Sequence, residues 1–300
     1  MKKMKVETYP EIEEKIFTGM AFDFDSHIEA DQYSRAKTDL AYADRVNGVF
    51  LYRGNCLSVM DAISLKHPNG CFDMVFADPP YFLSNGGITC HAGRMVKVDK
   101  GAWDKSRGWE LNHEFNTEWL KRCQKLLKPN GTLWVSGTMH AIYSIGFAMQ
   151  QLGFKILNDI IWEKPNPPPN LSHRYFTHAT ETVLWAAKNV KSRHMFNYSE
   201  MKSANGGKQM KSVWRVPPPG SAEKTFGKHP TQKPVALVKM CIEASTNPGD
   251  LILDPFAGSS TTGVAALSTN RRYCGIENEE SFVELSAQRL SSVVVNRQKI

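Results

Sequence analysis

The tetrapeptide Asp78-Pro79-Pro80-Tyr81 closes the apolar run FDMVFA and sets a carboxylate, two ring-locked residues and an aromatic side by side. Consecutive prolines fix φ and remove two amide donors, which leaves a carbonyl free to point at a substrate. A second stretch, LILDPFAGSSTTGVAAL, ends three apolar residues at Asp254 and Pro255, and Gly258 lets the backbone turn tightly into a helix beginning near Ser260. Twenty-three residues past Asp254, the run RRYCGIE ends at Glu277, where a carboxylate can accept two hydrogen bonds from a ribose diol. Gly258 and Gly263 do not make GxGxxG, and the chain has no GxxxxGK[ST] lysine. The expected ligand is therefore a nucleoside with a small charged tail, in preference to a dinucleotide or a triphosphate.

These residues need strands that end side by side. Strand-like runs fall at 49–52, 74–77, 132–136, 156–162, 182–186, 251–253 and 273–276. Helix-like segments fall at 116–127, 142–152, 234–245, 261–268 and 281–290, each ending near Gly, Asn or Pro. Seven strands alternating with helices imply an α/β fold whose mostly parallel sheet is covered on both faces. Residues 82–115 and 190–230 are long and poorly periodic, as functional loops are. Near the N-terminus YSRAKTDLAYADR suits a helix, with no functional reading attached to it.

A 300-residue chain with 41% hydrophobic residues can bury a sizeable core. An apolar run of about 18 residues, the length that spans a bilayer, occurs nowhere, and the cationic start MKKMK is followed by no apolar segment; the expectation is a cytoplasmic protein. The cysteines, at 56, 71, 90, 123, 241 and 274, include no CxxC pair, so reduced thiols are expected and no metal site. Cys90, His91, His113 and Cys123 are too irregularly spaced for zinc. The net charge of +7 is concentrated: residues 188–233 hold ten Lys/Arg against Glu200 and Glu223, with Phe196, Tyr198 and Trp214 interleaved. A basic, aromatic segment of this kind suits a polyanion such as nucleic acid.

DPPY and DPFAGSSTTG, with the hexapeptide His229-Pro230-Thr231-Gln232-Lys233-Pro234, resemble the S-adenosylmethionine-dependent amino-methyltransferases of DNA. DPPY precedes the cofactor motif and HPTQKP lies just before it, the permuted order of the β group. The resemblance spans about residues 48–290 and includes LKPNGTLWVSG, IIWEKPNPPPN and HATETVLWAAK, which are similar to that family's fifth to seventh strands. ADPPYFLSNGG, NLSHRYFTHATETVLWA and NGGKQMKSVW look most like the GATC-directed adenine enzymes of DpnII-type restriction systems.

The resemblance implies a three-layer, Rossmann-like methyltransferase fold with a seven-stranded sheet. It implies an N-terminal extension at 1–47, a catalytic half at 48–189, a target-recognition segment at 190–228 and a cofactor half at 229–300. S-adenosylmethionine is the implied cofactor and DNA the implied partner; a homodimer and a cognate restriction endonuclease acting on the same site are admitted.

Asp78 and the carbonyl of Pro79 would accept the two N6 hydrogen bonds of an extruded adenine. Pro80 would stiffen the turn and Tyr81 offer a stacking face. Asp78, Asp254, Phe256, Gly258, Ser259, Ser260, Thr261 and Thr262 would contact the cofactor, Glu277 its ribose, and Asn55 with Cys56 its adenine end. Thr231 and Lys233 would hold its carboxylate at a helix N-terminus. Ser260 stands where the family commonly has glycine, and Asn55 where it commonly has aspartate. Arg94, Lys97, Lys100, Lys105 and Arg107 in the loop after DPPY, with Lys208, Lys211, Trp214 and Arg215, are the expected DNA contacts. Two alternatives stay open at this point: cytosine-N4 methylation, which usually carries Ser in place of Asp78, and a catalytically inactive homologue that binds DNA or cofactor.

Overall fold

The computed structural model describes residues 39–84, 88–91, 94–97 and 100–297, with the strands between 88 and 97 described by backbone alone. Eleven strands and seven α-helices follow one another along these residues. The first part of the chain gives β1 (Asp39–Asp44), β2 (Val49–Arg53), α1 (Cys56–Lys66) and β3 (Phe72–Ala77). A hairpin of β4 (Ile88–His91) and β5 (Arg94–Lys97) precedes α2 (Trp109–Leu126), β6 (Leu127–Gly137), α3 (Met139–Gln151), β7 (Lys155–Glu163) and β8 (Thr180–Ala187). The remainder is α4 (Tyr198–Ala204), β9 (Val213–Arg215), α5 (Val235–Ser245), β10 (Leu251–Asp254), α6 (Thr261–Ser268), β11 (Arg272–Glu277) and α7 (Glu280–Arg297).

One nine-stranded sheet runs in the order β1-β2-β11-β10-β3-β6-β8-β7-β9. Its middle, β2, β11, β10, β3 and β6, is parallel; β8 is antiparallel to both β6 and β7. The seven expected strands are all present. The count of seven is corrected to nine because β1 pairs antiparallel with β2 at one edge and β9 pairs with β7 at the other. The expected helix over YSRAKTDLAYADR is also corrected: 39–44 is strand β1, and the rest of residues 1–38 lies outside the described residues, as does most of the expected extension.

Alternation along the strands builds both faces of the sheet. Met74 and Phe76 join Trp134, Ile252 and Tyr273 in a core covered by α5, α6 and α7. On the other face, fully buried Trp119 and Leu120 of α2 and Val59 and Met60 of α1 meet the intervening strand residues. Burying apolar residues on both sides of a central strand makes it read as the near-continuous apolar run that MVFA and LIL are.

The connection from β10 through α6 goes to β11, on one side, whereas β3 leads on to β6 on the other. Chains therefore leave the carboxyl ends of the adjacent strands β10 and β3 in opposite directions, which opens a crevice there, the usual ligand position in such sheets. Asp254 ends β10 and Asp78 follows β3, so the crevice opens between the two acids singled out in the sequence. The five described cysteines are free thiols, and no helix among the described residues is long and apolar enough to cross a membrane.

Candidate active site

A cavity of about 210 Å³ lies at these strand ends, and it gathers Asn55, Cys56, Asp78, Pro80, Thr231, Lys233, Asp254, Phe256, Gly258, Ser259, Thr261, Thr262 and Glu277. The sequence alone marks all of these for one site. Its walls add Trp103, Phe115, His229 and Phe282, which the sequence does not single out for it. Ser260 is the cofactor candidate that stays out: it is fully buried at the N-cap of α6, where its hydroxyl accepts a hydrogen bond from Tyr273 at 3.2 Å.

The floor is the DPF turn. Asp254 Oδ1 accepts the N–H of Phe256 at 3.0 Å, and Phe256 packs edge-on against Trp119 with centroids 5.4 Å apart. Gly258 has φ +52°, and a Cβ there would lie 3.1 Å from His229 Nε2, so close approach as well as conformation calls for glycine. Glu277 is held by three backbone N–H groups, from Gly258 at 2.7 Å, Asn278 at 2.8 Å and Glu279 at 2.9 Å. Burial lifts the Asp254 carboxyl to about 7, against the hydrogen bond from Thr262 that favours its anion. Burial, with Lys233, Arg289 and Lys100 nearby, lowers His229 to about 4, so it is neutral, and its Nδ1 lies 3.3 Å from the Thr231 N–H.

Beside this floor lies a buried polar network around Asp78. Lys233 Nζ donates to Asp78 Oδ2 at 2.7 Å, and the Tyr81 hydroxyl donates to Asp78 Oδ1 at 2.6 Å. Glu181 Oε2 lies 3.3 Å from the Tyr81 hydroxyl and 3.5 Å from Lys233, while its Oε1 receives Lys164 at 2.5 Å. Ser136 Oγ stands 3.2 Å from the same phenol. Two carboxylates thus face two ammoniums in a site where an unpaired charge would be costly. Burial raises Asp78 above the usual carboxylate range, opposed by Lys233 and reinforced by Glu181. Glu181 would be raised by burial too, but Lys233 and Lys164 bring it down to about 2.

Asp104 anchors the loop that follows. Its carboxylate accepts from the backbone N–H groups of Tyr81, Phe82 and Leu83 at 2.9, 2.8 and 3.2 Å and from Ser84 Oγ at 2.9 Å. Phe82 sits there at φ +59°.

Several expected roles change. Lys233 holds Asp78 and Glu181, and the first free N–H of α5, on Val235, is taken by Glu223 Oε2 at 2.9 Å, so neither is an open carboxylate receptor. Tyr81 is 6% exposed with the Lys233 and Lys100 ammoniums 5.1 and 5.6 Å from its ring centroid, so stacking by a base requires these groups to move. Asn55 Oδ1 caps α1 through Leu57 and Ser58, which leaves its amide N–H groups for the cavity. Trp214 is a core residue, packed on Trp134 at 6.1 Å and donating to the Lys211 carbonyl, and is withdrawn from the DNA contacts. Lys105, Arg107, Lys208, Lys211 and Arg215 are exposed, whereas the side chains of Arg94 and Lys97 lie outside the described residues.

A DNA methylase family model matches residues 72–288. Over 221 residues the chain is 57% identical to the type II methyltransferase M2.DpnII of Streptococcus pneumoniae, covering 73% of this chain and 82% of the relative. The chain belongs to the DNA methylase family. It is 50% identical to M2.MboI of Moraxella bovis over 81% of this chain and 88% of that one. The crystal structure of the M1.HpyAVI–SAM complex, 29% identical, superposes with a TM-score of 0.62 over 81% of the methylase and 98% of that chain. PvuII cytosine-N4 methyltransferase, 20% identical at a TM-score of 0.66 over 88% of the methylase and 96% of that chain, shares the fold. The methylase is an S-adenosylmethionine-dependent DNA methyltransferase.

The cavity suits that cofactor on its own terms. Glu277 is placed to take a diol, Phe256 and Phe282 give apolar wall, and Asp254 is a carboxylate for a cation. Gln232 Oε1, buried and without a hydrogen-bond partner in the structure described, is an acceptor suited to an ammonium group.

Proposed function

We propose that this enzyme methylates N6 of an adenine extruded from DNA, within the sequence GATC. The observation that carries the reading is the carboxylate of Asp78, held at the cavity by Tyr81 and Lys233 in the position where the cytosine-N4 enzymes usually have a hydroxyl. The GATC assignment rests on the likeness of ADPPYFLSNGG and NLSHRYFTHATETVLWA to GATC-directed enzymes.

The exocyclic N6 is a poor nucleophile because its lone pair is delocalised into the ring. Bound S-adenosylmethionine supplies a methyl group on a positively charged sulfur. The residues of the chain localise the lone pair. Asp78 accepts one N6–H and the Pro79 carbonyl the other, which favours a pyramidal nitrogen facing the methyl group. Asp78 would then take the proton that N6 sheds as its lone pair forms the bond to the methyl carbon, while the sulfur–methyl bond would break with its electron pair left on sulfur. Its raised basicity aids that step, and Lys233 keeps the carboxylate ionised beforehand. Asp254, Phe256, Gly258, Ser259, Thr261, Thr262 and Glu277 hold the cofactor, with Asn55 and Cys56 at its adenine end. Lys105, Arg107, Lys208, Lys211 and Arg215 meet phosphates, and 190–228 serves as the recognition segment between the two halves. A cytoplasmic location goes with this reading, which also admits a homodimer and a cognate endonuclease acting on the same site.

The test of the site is transfer of labelled methyl to a duplex with a single GATC. Transfer there, blocking a GATC-cutting nuclease and absent when GATC is replaced by GTTC, is the expected outcome. Equal labelling of both duplexes would overturn the site assignment.

A further inference from the structure

Between β7 and β8, residues 164–179 leave the sheet beside the active site. The Lys164 N–H donates to the Ala179 carbonyl at 2.8 Å and its Nζ to Glu181 at 2.5 Å, so both ends of the loop are tied to the network that holds Asp78. Pro167, Pro168 and Pro169 stiffen its rise. A turn is pinned beyond them: Asn170 Oδ1 accepts from the N–H and hydroxyl of Ser172, and its amide donates to the Tyr175 carbonyl. Tyr175, 59% exposed, leans on His178, whereas Phe176 is 96% exposed, more than any other large apolar residue described. From Lys164 to Thr180 the chain has Lys164 and Arg174 and not one acid. A whole phenyl ring held in water on a braced, acid-free loop suits a stack of bases, with phosphates to meet the cation.

We infer that Phe176 enters the base stack at the target site and fills the space the extruded adenine leaves, with Arg174 on a neighbouring phosphate. The inference rests on the proposed function above. Stacking compensates part of the cost of unstacking the target, so its loss bears on duplex DNA and far less on an unpaired strand.

The test compares Phe176→Ala, Phe176→Trp and the parent enzyme, each confirmed folded by thermal melt, on a GATC duplex and on the same strand unpaired. Extrusion is followed by 2-aminopurine fluorescence at the target position. The alanine variant is expected to lose duplex transfer about 10-fold or more beyond any loss on the single strand, with a matching loss of fluorescence, and tryptophan to restore both. Equal loss on the two substrates, or none, would overturn the inference. So would loss of self-association in sedimentation with transfer to duplex intact, which would make the loop a protein contact. Failure of the parent enzyme to methylate either DNA would instead bring down the functional reading, and the inference with it.

Discussion

On the proposed reading Asp78 must be an anion to accept N6–H and a base to take its proton, and its surroundings pull in both directions. Burial raises its pKa, Lys233 opposes that, and Glu181 adds to it. Because the ionised form is the working one, transfer should fall as pH drops through a value above the usual carboxylate range. Glu181→Gln removes a negative neighbour and should move that acid limb of kcat to lower pH, which a pH–rate profile reads directly. Asp78→Asn should lower kcat by about 10²–10³, measured in single turnover, because the amide keeps an acceptor but cannot take the proton. Asp254 titrates at about 7, so its anion forms as pH rises. Affinity for the cationic cofactor should therefore increase from pH 6 to pH 8, and Asp254→Asn should flatten that dependence in calorimetry.

At the scale of elements, α6 shows how closely the cofactor turn is built. A Cβ on Gly263 would lie 2.5 Å from Leu290 Cδ2 and 2.7 Å from the Tyr273 ring, so Gly263→Ala should cost about 1–3 kcal/mol in urea denaturation. Ser260, at φ +52°, occupies backbone that favours glycine and is compensated by the Tyr273 hydroxyl. Ser260→Ala keeps the strain and orphans that buried phenol, so it should destabilise by about 1–3 kcal/mol. Ser260→Gly relieves the strain and should cost less.

Helix α6 itself was legible at 261–268, because Gly258 and the apolar run VAAL mark both its start and its buried face. The start of α2 was not: Trp109 and Leu111 are exposed, so its first turns show no apolar stripe. Helix α1 was missed because β-branched Val59 and Ile63 amid serines weaken its helical signal. β1 reads as helix until β2 is there to pair with it. DPPY and DPFAG announced the cavity, but the partnership of Lys164, Glu181 and Tyr81 depends on the antiparallel placing of β8 between β6 and β7, which no local spacing encodes.

Across the whole molecule, one sheet brings Asp78, just after β3, and the DPF turn, at the end of β10, to one cavity, so on the proposed reading neither half has a complete site alone. The surplus of positive charge in 188–233 stays exposed at Lys208, Lys211 and Arg215 even though Trp214 turns inward. Replacing Lys208 or Lys211 by alanine should weaken binding to all DNA sequences alike and lower the salt slope by about one each, as read from binding titrations at several salt concentrations. The most direct test of the account is the identity of the product. Unmethylated DNA incubated with enzyme and S-adenosylmethionine, digested to nucleosides and resolved by mass and retention, should yield N6-methyladenine from the parent enzyme and a trace of it from Asp78→Asn. N4-methylcytosine in its place would contradict the role given to Asp78.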